Sequence, residues 1–335
     1  MKFRWKGALG IIVSVACIVY VFRTNDWAEI RRKMADANYG LLALSAVCGT
    51  AMFPIRARKW RTILDPVAPK LPFGPLWRST AIGMMVNNVL PVRAGEAARA
   101  YALTREVPAV SFAVSLASLA VDRAFDAMVV ILLTAVAIFA PGSPAGSGSV
   151  IIGRAALFFG IGAVGLVAGL YALVFFPETL IRLFELLARR VSPTVEKRGA
   201  EALRTFAGGL SILRSPAHFA AVFGWTLLHW SLQPLAFWIG FKAVGIDVPW
   251  SAALLVQGVI VVGVSVPSTP GYFGPFEIAA STSLALYGVS KSAATTWALL
   301  FHIASFIPIT LIGAYYFARL GIKMSDVGSA GAERP

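Results

Sequence analysis

The sequence predicts an all-α polytopic membrane protein with about six full spans and two Pro/Gly-broken hairpins in an inverted-repeat arrangement. Three observations carry this. The 335 residues are 58% hydrophobic and 14% charged, with a mean hydropathy of +0.74; soluble domains average about 45–50% apolar and about 25% charged. The apolar runs are long and unbroken, whereas an outer-membrane barrel alternates. Two further regions, 76–104 and 250–290, are apolar but interrupted by Pro, Gly and charge.

Runs 7–22, 39–55, 109–140, 151–176, 217–241 and 293–318 are long enough to span. The first follows a basic start, "MKFRWK", as in a secretory signal. No small-x-small cleavage pattern follows it, so it is expected to stay as the first membrane helix. Run 109–140 exceeds one straight span and is expected to tilt or to extend past the apolar slab. Residues 178–191, "ETLIRLFELLARRV", place Leu180, Leu183, Phe184 and Leu187 on one helical face, as an interfacial helix would. "RARKWRTIL", 56–64, reads as a second interfacial helix, and 324–335 as a disordered tail. Residues 1–323 form one membrane domain in this reading, with 178–214 as a basic amphipathic cytoplasmic loop.

Lys and Arg counts orient the chain, because cytoplasmic loops are enriched in them. Residues 56–78 carry Arg56, Arg58, Lys59, Arg61, Lys70 and Arg78 against Asp65 alone. Lys2, Arg4 and Lys6 place the N-terminus inside, and Arg319 and Lys323 the C-terminus. Loops 141–149 and 242–249 carry little charge, as expected outside. The outer loop 23–38, with Arg23, Arg31, Arg32 and Lys33, fits this orientation least well. The region 76–104 then begins and ends inside, and 250–290 begins and ends outside. Hairpins entering from opposite faces are the mark of an inverted repeat with broken helices near the midplane.

Several function classes drop out. A net charge of +14 would suggest nucleic acid in a soluble protein, but here it follows from loops facing anionic headgroups. Cys17 and Cys48 sit singly in apolar runs and read as packing residues; no zinc spacing, P-loop or nucleophile elbow is present, and no cofactor is implied. His229 and His302 read as packing or hydrogen-bonding residues.

Three clusters could carry chemistry. The first, in "NNVLPVRAGEAAR", holds Asn87, Asn88, Pro91, Arg93, Gly95, Glu96 and Arg99. Pro91 breaks the helix, and a new helix near Gly95 would aim its positive end into a cavity. Arg93 and Arg99 suit a phosphate, and Glu96 could pair with an arginine, bind an amine or carry a proton. The competing reading is a surface loop with arginines snorkelling to headgroups. The second cluster, "VSVPSTPGYFGPFE", forbids a continuous helix through Pro267, Pro270, Gly271, Gly274 and Pro275, and ends on Glu277. The Pro-x-x-x-Gly spacing common to both clusters is uninformative, since 19 Pro and 30 Gly give roughly 1.7 such matches by chance. The third, "VDRAFD", sets Asp122 and Asp126 on one helical face with Arg123 one turn from Asp126. Such an ion pair at membrane depth either fixes packing or meets substrate.

These clusters resemble the lysylphosphatidylglycerol synthase transmembrane-region family, also called flippase-like or UPF0104 proteins. Asn87, Asn88, Pro91, Arg93, Gly95, Glu96 and Arg99 match its Asn…Pro-x-Arg-x-Gly-acid-x-x-Arg pattern. Asp122, Arg123 and Asp126 match its acidic-Arg-x-x-Asp motif. Pro267, Pro270, Gly271, Gly274 and Glu277 match its Pro-x-x-Pro-Gly-x-x-Gly-x-x-Glu motif. The resemblance implies a multi-pass protein of the bacterial inner membrane that moves or handles lipids. In the type case a soluble synthase half makes aminoacyl phosphatidylglycerol. Here the sequence ends at Pro335, soon after the last span, so no such half is expected and aminoacyl transfer is disfavoured.

The expectation is a lipid translocase whose headgroup site uses Asn87, Asn88, Arg93, Glu96, Arg99, Arg123 and Glu277. The cargo would be an anionic or aminoacylated phospholipid or a lipid-linked precursor. A non-flipping accessory protein, or an intramembrane enzyme of lipid, glycolipid or hopanoid biosynthesis, is the alternative. A second copy of the chain or a lipid-biosynthetic protein stays open as a partner.

Overall fold

In a computed structural model, residues 16–90, 94–143, 175–189, 215–265 and 270–324 are described, with isolated positions between 161 and 204. The described residues are helical, with no strand among them. In chain order they form α1 (16–24), α2 (Trp27–Ala35), α3 (Tyr39–Leu64), α4 (Phe73–Val89), α5 (Gly95–Glu106) and α6 (Phe112–Phe139). These are followed by α7 (Pro177–Ala188), α8 (Pro216–Ala243), α9 (Trp250–Gly263), a 3₁₀ turn (Pro270–Tyr272), α10 (Pro275–Ala285) and α11 (Lys291–Arg319). Pro91, Arg93, Pro267, most of 151–176 and the tail beyond Met324 lie outside the described residues.

Among the described residues, helices α3 and α11 are long and apolar enough to cross a bilayer, and α6 and α8 are of similar length, 28 residues each. Large apolar side chains such as Val47, Phe139, Val262 and Leu311 face outward from these helices and from α9, as lipid contact demands. The elements of the two broken regions are shorter. At about 1.5 Å per residue, α4 and α5 rise about 25 and 18 Å, and α9 and α10 about 21 and 16 Å. Each falls short of the roughly 30 Å apolar slab, and each pair packs against itself as a hairpin.

Two groups of four helices share one order: long helix, hairpin, long helix. Helix α3 lies along α8 and runs antiparallel to it, in a register fixed by four hydrogen bonds. Asn38 N–H donates to the Ala243 carbonyl (2.7 Å), and Ser45 Oγ to that of Ala236 (2.6 Å). His229 Nδ1 meets the Met52 carbonyl at 2.9 Å, and His218 Nε2 that of Thr62 at 2.6 Å. Each hairpin then packs across to the other group. Helix α4 lies on α11, where Asn88 reaches Thr310, and α9 lies on α6, where Gly258 meets Thr134.

Four expectations change. The span predicted over 39–55 continues as one helix to Leu64, so 56–64 is not a separate interfacial segment. Arg56 and Lys59, assigned above to a cytoplasmic loop, are 4% and 0% exposed; their counterions on α6 make burial tolerable. Loop 23–38 contains α2, capped by Asp26, with Ile30 buried and its charged side chains at the surface. Helix α7 forms where the amphipathic pattern predicts, but Ile181 is its buried anchor while Leu183 and Leu187 stay exposed.

Candidate functional site

The site begins with α6. Asp122 and Asp126, one turn apart, point into the protein and are 0% and 4% exposed. Two buried carboxylates that close together require cations, and α3 supplies them one turn apart as well. Arg56 Nη2 reaches Asp122 Oδ2 at 3.1 Å and Asp126 Oδ2 at 3.0 Å. Lys59 Nζ lies 2.6 Å from Oδ1 of both aspartates. It donates a well-directed hydrogen bond to Asp126, while its approach to Asp122 is an ion pair without hydrogen-bond geometry. Trp230 of α8 adds an indole N–H to Asp126 Oδ1 at 2.7 Å. Helices α3, α6 and α8 are thus pinned by one polar knot.

The first hairpin brings α5 to this knot. Its two helices meet at Gly83 and Gly95. A Cβ on Gly95 would sit 2.1 Å from the Gly83 carbonyl oxygen, and one on Gly83 2.7 Å from that of Gly95. The Gly95 N–H donates to Asn87 Oδ1 at 2.8 Å, so this end of α5 is already capped by the preceding helix. Arg99 follows one turn on, 4% exposed, stacked 4.1 Å from the Trp60 ring and 3.4 Å from Asp122 Oδ2. Arg99 Nε and Nη2 and Arg56 Nε are buried without a hydrogen-bond partner among the described residues. Glu96 meets Arg123 of α6 at 2.5 Å, with side chains 27% and 45% exposed. Within the network, Arg56, Lys59, Arg99 and Arg123 face Asp122, Asp126 and Glu96, leaving one positive charge in excess.

Two cavities adjoin the knot. One of about 460 Å³ is lined by Arg56, Asn87, Asn88, Glu96, Arg123 and Asp126, and elsewhere by apolar residues of α6 and α9. Its rim includes Val262, which is 63% exposed on the outer face of α9. The second, about 240 Å³, shares Arg56, Asn88, Trp230 and Tyr272 with the first and continues to Gln257 and His302.

The second hairpin closes that far end. Gly271 and Gly274 take φ of +74° and +97°, values that side-chain-bearing residues rarely adopt, which explains their place in this turn. Glu277 then sits at the third position of α10 and accepts the Gly274 N–H at 2.6 Å through Oε2, half of a capping box. Its other oxygen meets His302 Nδ1 of α11 at 2.7 Å. Both residues are buried.

Of the predicted residues, Asn87, Asn88, Glu96 and Arg123 line the larger cavity, and Arg99 lies behind its wall. Glu277 meets the shared space only through His302. The Arg123–Asp126 contact exists at 3.4 Å but is secondary to Arg123–Glu96. Sequence reasoning missed Arg56, Lys59 and Trp230, and read His302 as a packing or hydrogen-bonding residue without naming Glu277 as its partner. A signal existed for the first two: cations at i and i+3 continuing an apolar run, matched to carboxylates at i and i+4 on another.

Comparison with known proteins agrees in extent. The family described as "Lysylphosphatidylglycerol synthase TM region" matches residues 7–313. A UPF0104 membrane protein of Methanothermobacter thermautotrophicus is 23% identical, over 94% of this chain and 93% of that one. Glycosyltransferase AglD of Haloferax volcanii is 26% identical over 91% of this chain. The chain spans about half of AglD's length, 52%.

Proposed function

We propose, for a chain that belongs to the lysylphosphatidylglycerol synthase TM region family, that it moves an anionic lipid headgroup across the bilayer through the cavity at the Arg56 knot. One observation carries this reading. The 460 Å³ cavity joins cationic and amide groups on one wall to apolar side chains on the other, and its rim reaches the lipid-facing Val262. A phosphate could meet Arg56, Arg123 and Asn88 while the acyl chains stay among Val130, Ile131 and Val261. Arg123 can exchange Glu96 for the phosphate at small cost, because that pair is partly exposed.

In this reading residues 1–323 are one membrane domain with both termini cytoplasmic. The groups α3–α6 and α8–α11 are inverted repeats about an axis through the antiparallel α3/α8 pair. The equivalence of the α4–α11 and α9–α6 contacts supports that symmetry. Helices α4–α5 and α9–α10 would enter from opposite faces. The test is movement of fluorescent phosphatidylglycerol between leaflets of phosphatidylcholine vesicles containing the purified chain, read by dithionite quenching. Arg56→Gln and Arg123→Gln should each slow it at least tenfold, and wild-type protein that moves no phosphatidylglycerol sinks the proposal.

The likeness to a glycosyltransferase favours a second reading, in which the same cavity holds a lipid-linked sugar for another domain or protein without flipping it. A changed glycolipid profile in a deletion strain, with leaflet distribution unaltered, would select that reading.

A further inference from the structure

We infer that Glu277 and His302 form a proton-binding site coupled to occupancy of the headgroup cavity, so that an anionic lipid and a proton bind together. The inference rests on the translocation reading for where the proton goes, but not for the coupling itself.

The pair stands between two spaces. His302 lines the 240 Å³ cavity that shares Arg56 and Asn88 with the headgroup cavity. Glu277 lines a separate apolar cavity of about 300 Å³ on the other side, against Val21, Phe22 and Trp27 of α1 and α2. The carboxylate accepts the Gly274 N–H at the N-terminus of α10 through Oε2. The proposed proton acceptor is the imidazole, whose Nδ1 meets Glu277 Oε1 at 2.7 Å. It lies against Phe273, stacked at a ring separation of 4.2 Å, and Phe276 at 4.4 Å.

Other groups face the pair from the neighbouring elements, α2 bringing only the uncharged Trp27. Helix α1 brings Cys17, within electrostatic reach of Glu277, and α3 brings Arg56 across the cavity. The 3₁₀ turn brings Tyr272, while α4, α8 and α9 bring the uncharged Asn88, Gln233 and Gln257. Glu277 is the carboxylate nearest His302, and Arg56 the cation with which it shares a cavity.

With His302 neutral, the pair carries one negative charge and opposes an incoming phosphate. With a proton added to the second ring nitrogen, the pair is neutral and no longer opposes the phosphate. Lipid binding thus draws one proton from water onto His302, and by linkage lower pH tightens lipid binding. Release of the lipid returns that proton; if release occurs at the opposite leaflet, proton and lipid cross together.

The experiment mixes the purified full chain with phosphatidylglycerol or phosphatidylcholine micelles near pH 7 and reads proton uptake with an indicator dye. Wild type should take up as much as one proton per bound phosphatidylglycerol and none with phosphatidylcholine. Its affinity for phosphatidylglycerol should tighten as much as about tenfold per pH unit of acidification. His302→Gln, which keeps a hydrogen bond to Glu277, should bind phosphatidylglycerol without uptake or pH dependence. Binding without proton uptake in wild type, an unchanged response in His302→Gln, or no phosphatidylglycerol binding at any pH overturns the coupling. Uptake that is present while labelled phosphatidylglycerol stays in its leaflet supports the coupling and removes only the translocation reading.

Discussion

Lys59→Met tests whether the knot holds the helices together. The ammonium is 0% exposed and lies 2.6 Å from two carboxylates that belong to another helix. Methionine keeps most of the volume and removes the charge, so Asp122 and Asp126 would be left facing Arg56, Arg99 and the more distant Arg123. Removing one partner of a buried ion pair costs about 3–5 kcal/mol. Arg56 still bridges both carboxylates at 3.1 and 3.0 Å, which places the expected loss at the low end, about 3 kcal/mol. The assay is equilibrium denaturation in mixed micelles, with Arg123→Met as the contrast. That pair, 45% and 27% exposed, should contribute no more than about 1 kcal/mol. Lys59→Met/Asp126→Asn removes one charge of each sign and should recover at least about 1 kcal/mol relative to the sum of the single changes. A Lys59→Met protein within about 0.5 kcal/mol of wild type would refute the argument.

Trp230→Phe deletes the indole N–H that Asp126 accepts and should cost about 1–3 kcal/mol in the same denaturation assay while the aromatic packing survives. Gly95→Ala places a Cβ 2.1 Å from the Gly83 carbonyl oxygen, so the α4–α5 hairpin must open; stability should fall by about 1–3 kcal/mol or more, and a cysteine cross-link between α4 and α5 should form less readily. Gly313→Ala should destabilise similarly, because its Cβ would lie 2.3 Å from the Ala81 carbonyl oxygen, whereas Gly224→Ala meets nothing within 4 Å and should be neutral or slightly stabilising. Glu96→Gln frees Arg123, and micellar phosphatidylglycerol titrations should show tighter binding at low salt; weaker binding would mean that Glu96 orders the site rather than competes with the headgroup.

The hairpins were legible because their cause is local. Proline and positive-φ glycine act on the backbone where they stand, so a helix starting at Gly95 and a break before Pro275 can be read without knowing what lies opposite. Asp122 and Asp126 were also legible, since two carboxylates one turn apart in an apolar run demand partners. Their partners were not. Arg56 and Lys59 lie 66 and 67 residues before the aspartates they bond, and counting cations by loop assigned both to water. The role of His302 was hidden differently: a single histidine in an apolar helix reads as packing or hydrogen bonding, with no partner named. Only the 2.7 Å contact with Glu277, across a break in the chain, separates it from His229, which caps the Met52 carbonyl.

That division bears on how such a cavity can recognise anything. A knot with every charge paired would be rigid but inert, because a headgroup would have to displace a buried partner at several kcal/mol. Here the fully buried pairs, Lys59 and Arg56 with the aspartates, carry the packing, while the remaining capacity sits at the edges. Among the described residues it consists of one excess positive charge, an Arg56 Nε without a hydrogen-bond partner, and an Arg123–Glu96 pair exposed enough to exchange. Arg56 belongs to both sets, bonding Asp122 and Asp126 through Nη2 while lining both cavities. Its removal should therefore lower stability and phosphatidylglycerol movement together, and removal of Arg123 should lower movement alone. Arg56→Gln and Arg123→Gln measured side by side, in denaturation and in vesicles, would separate the two functions. If both variants lost stability equally, the exchangeable edge would not exist and the cavity would be a packing defect beside a structural ion cluster.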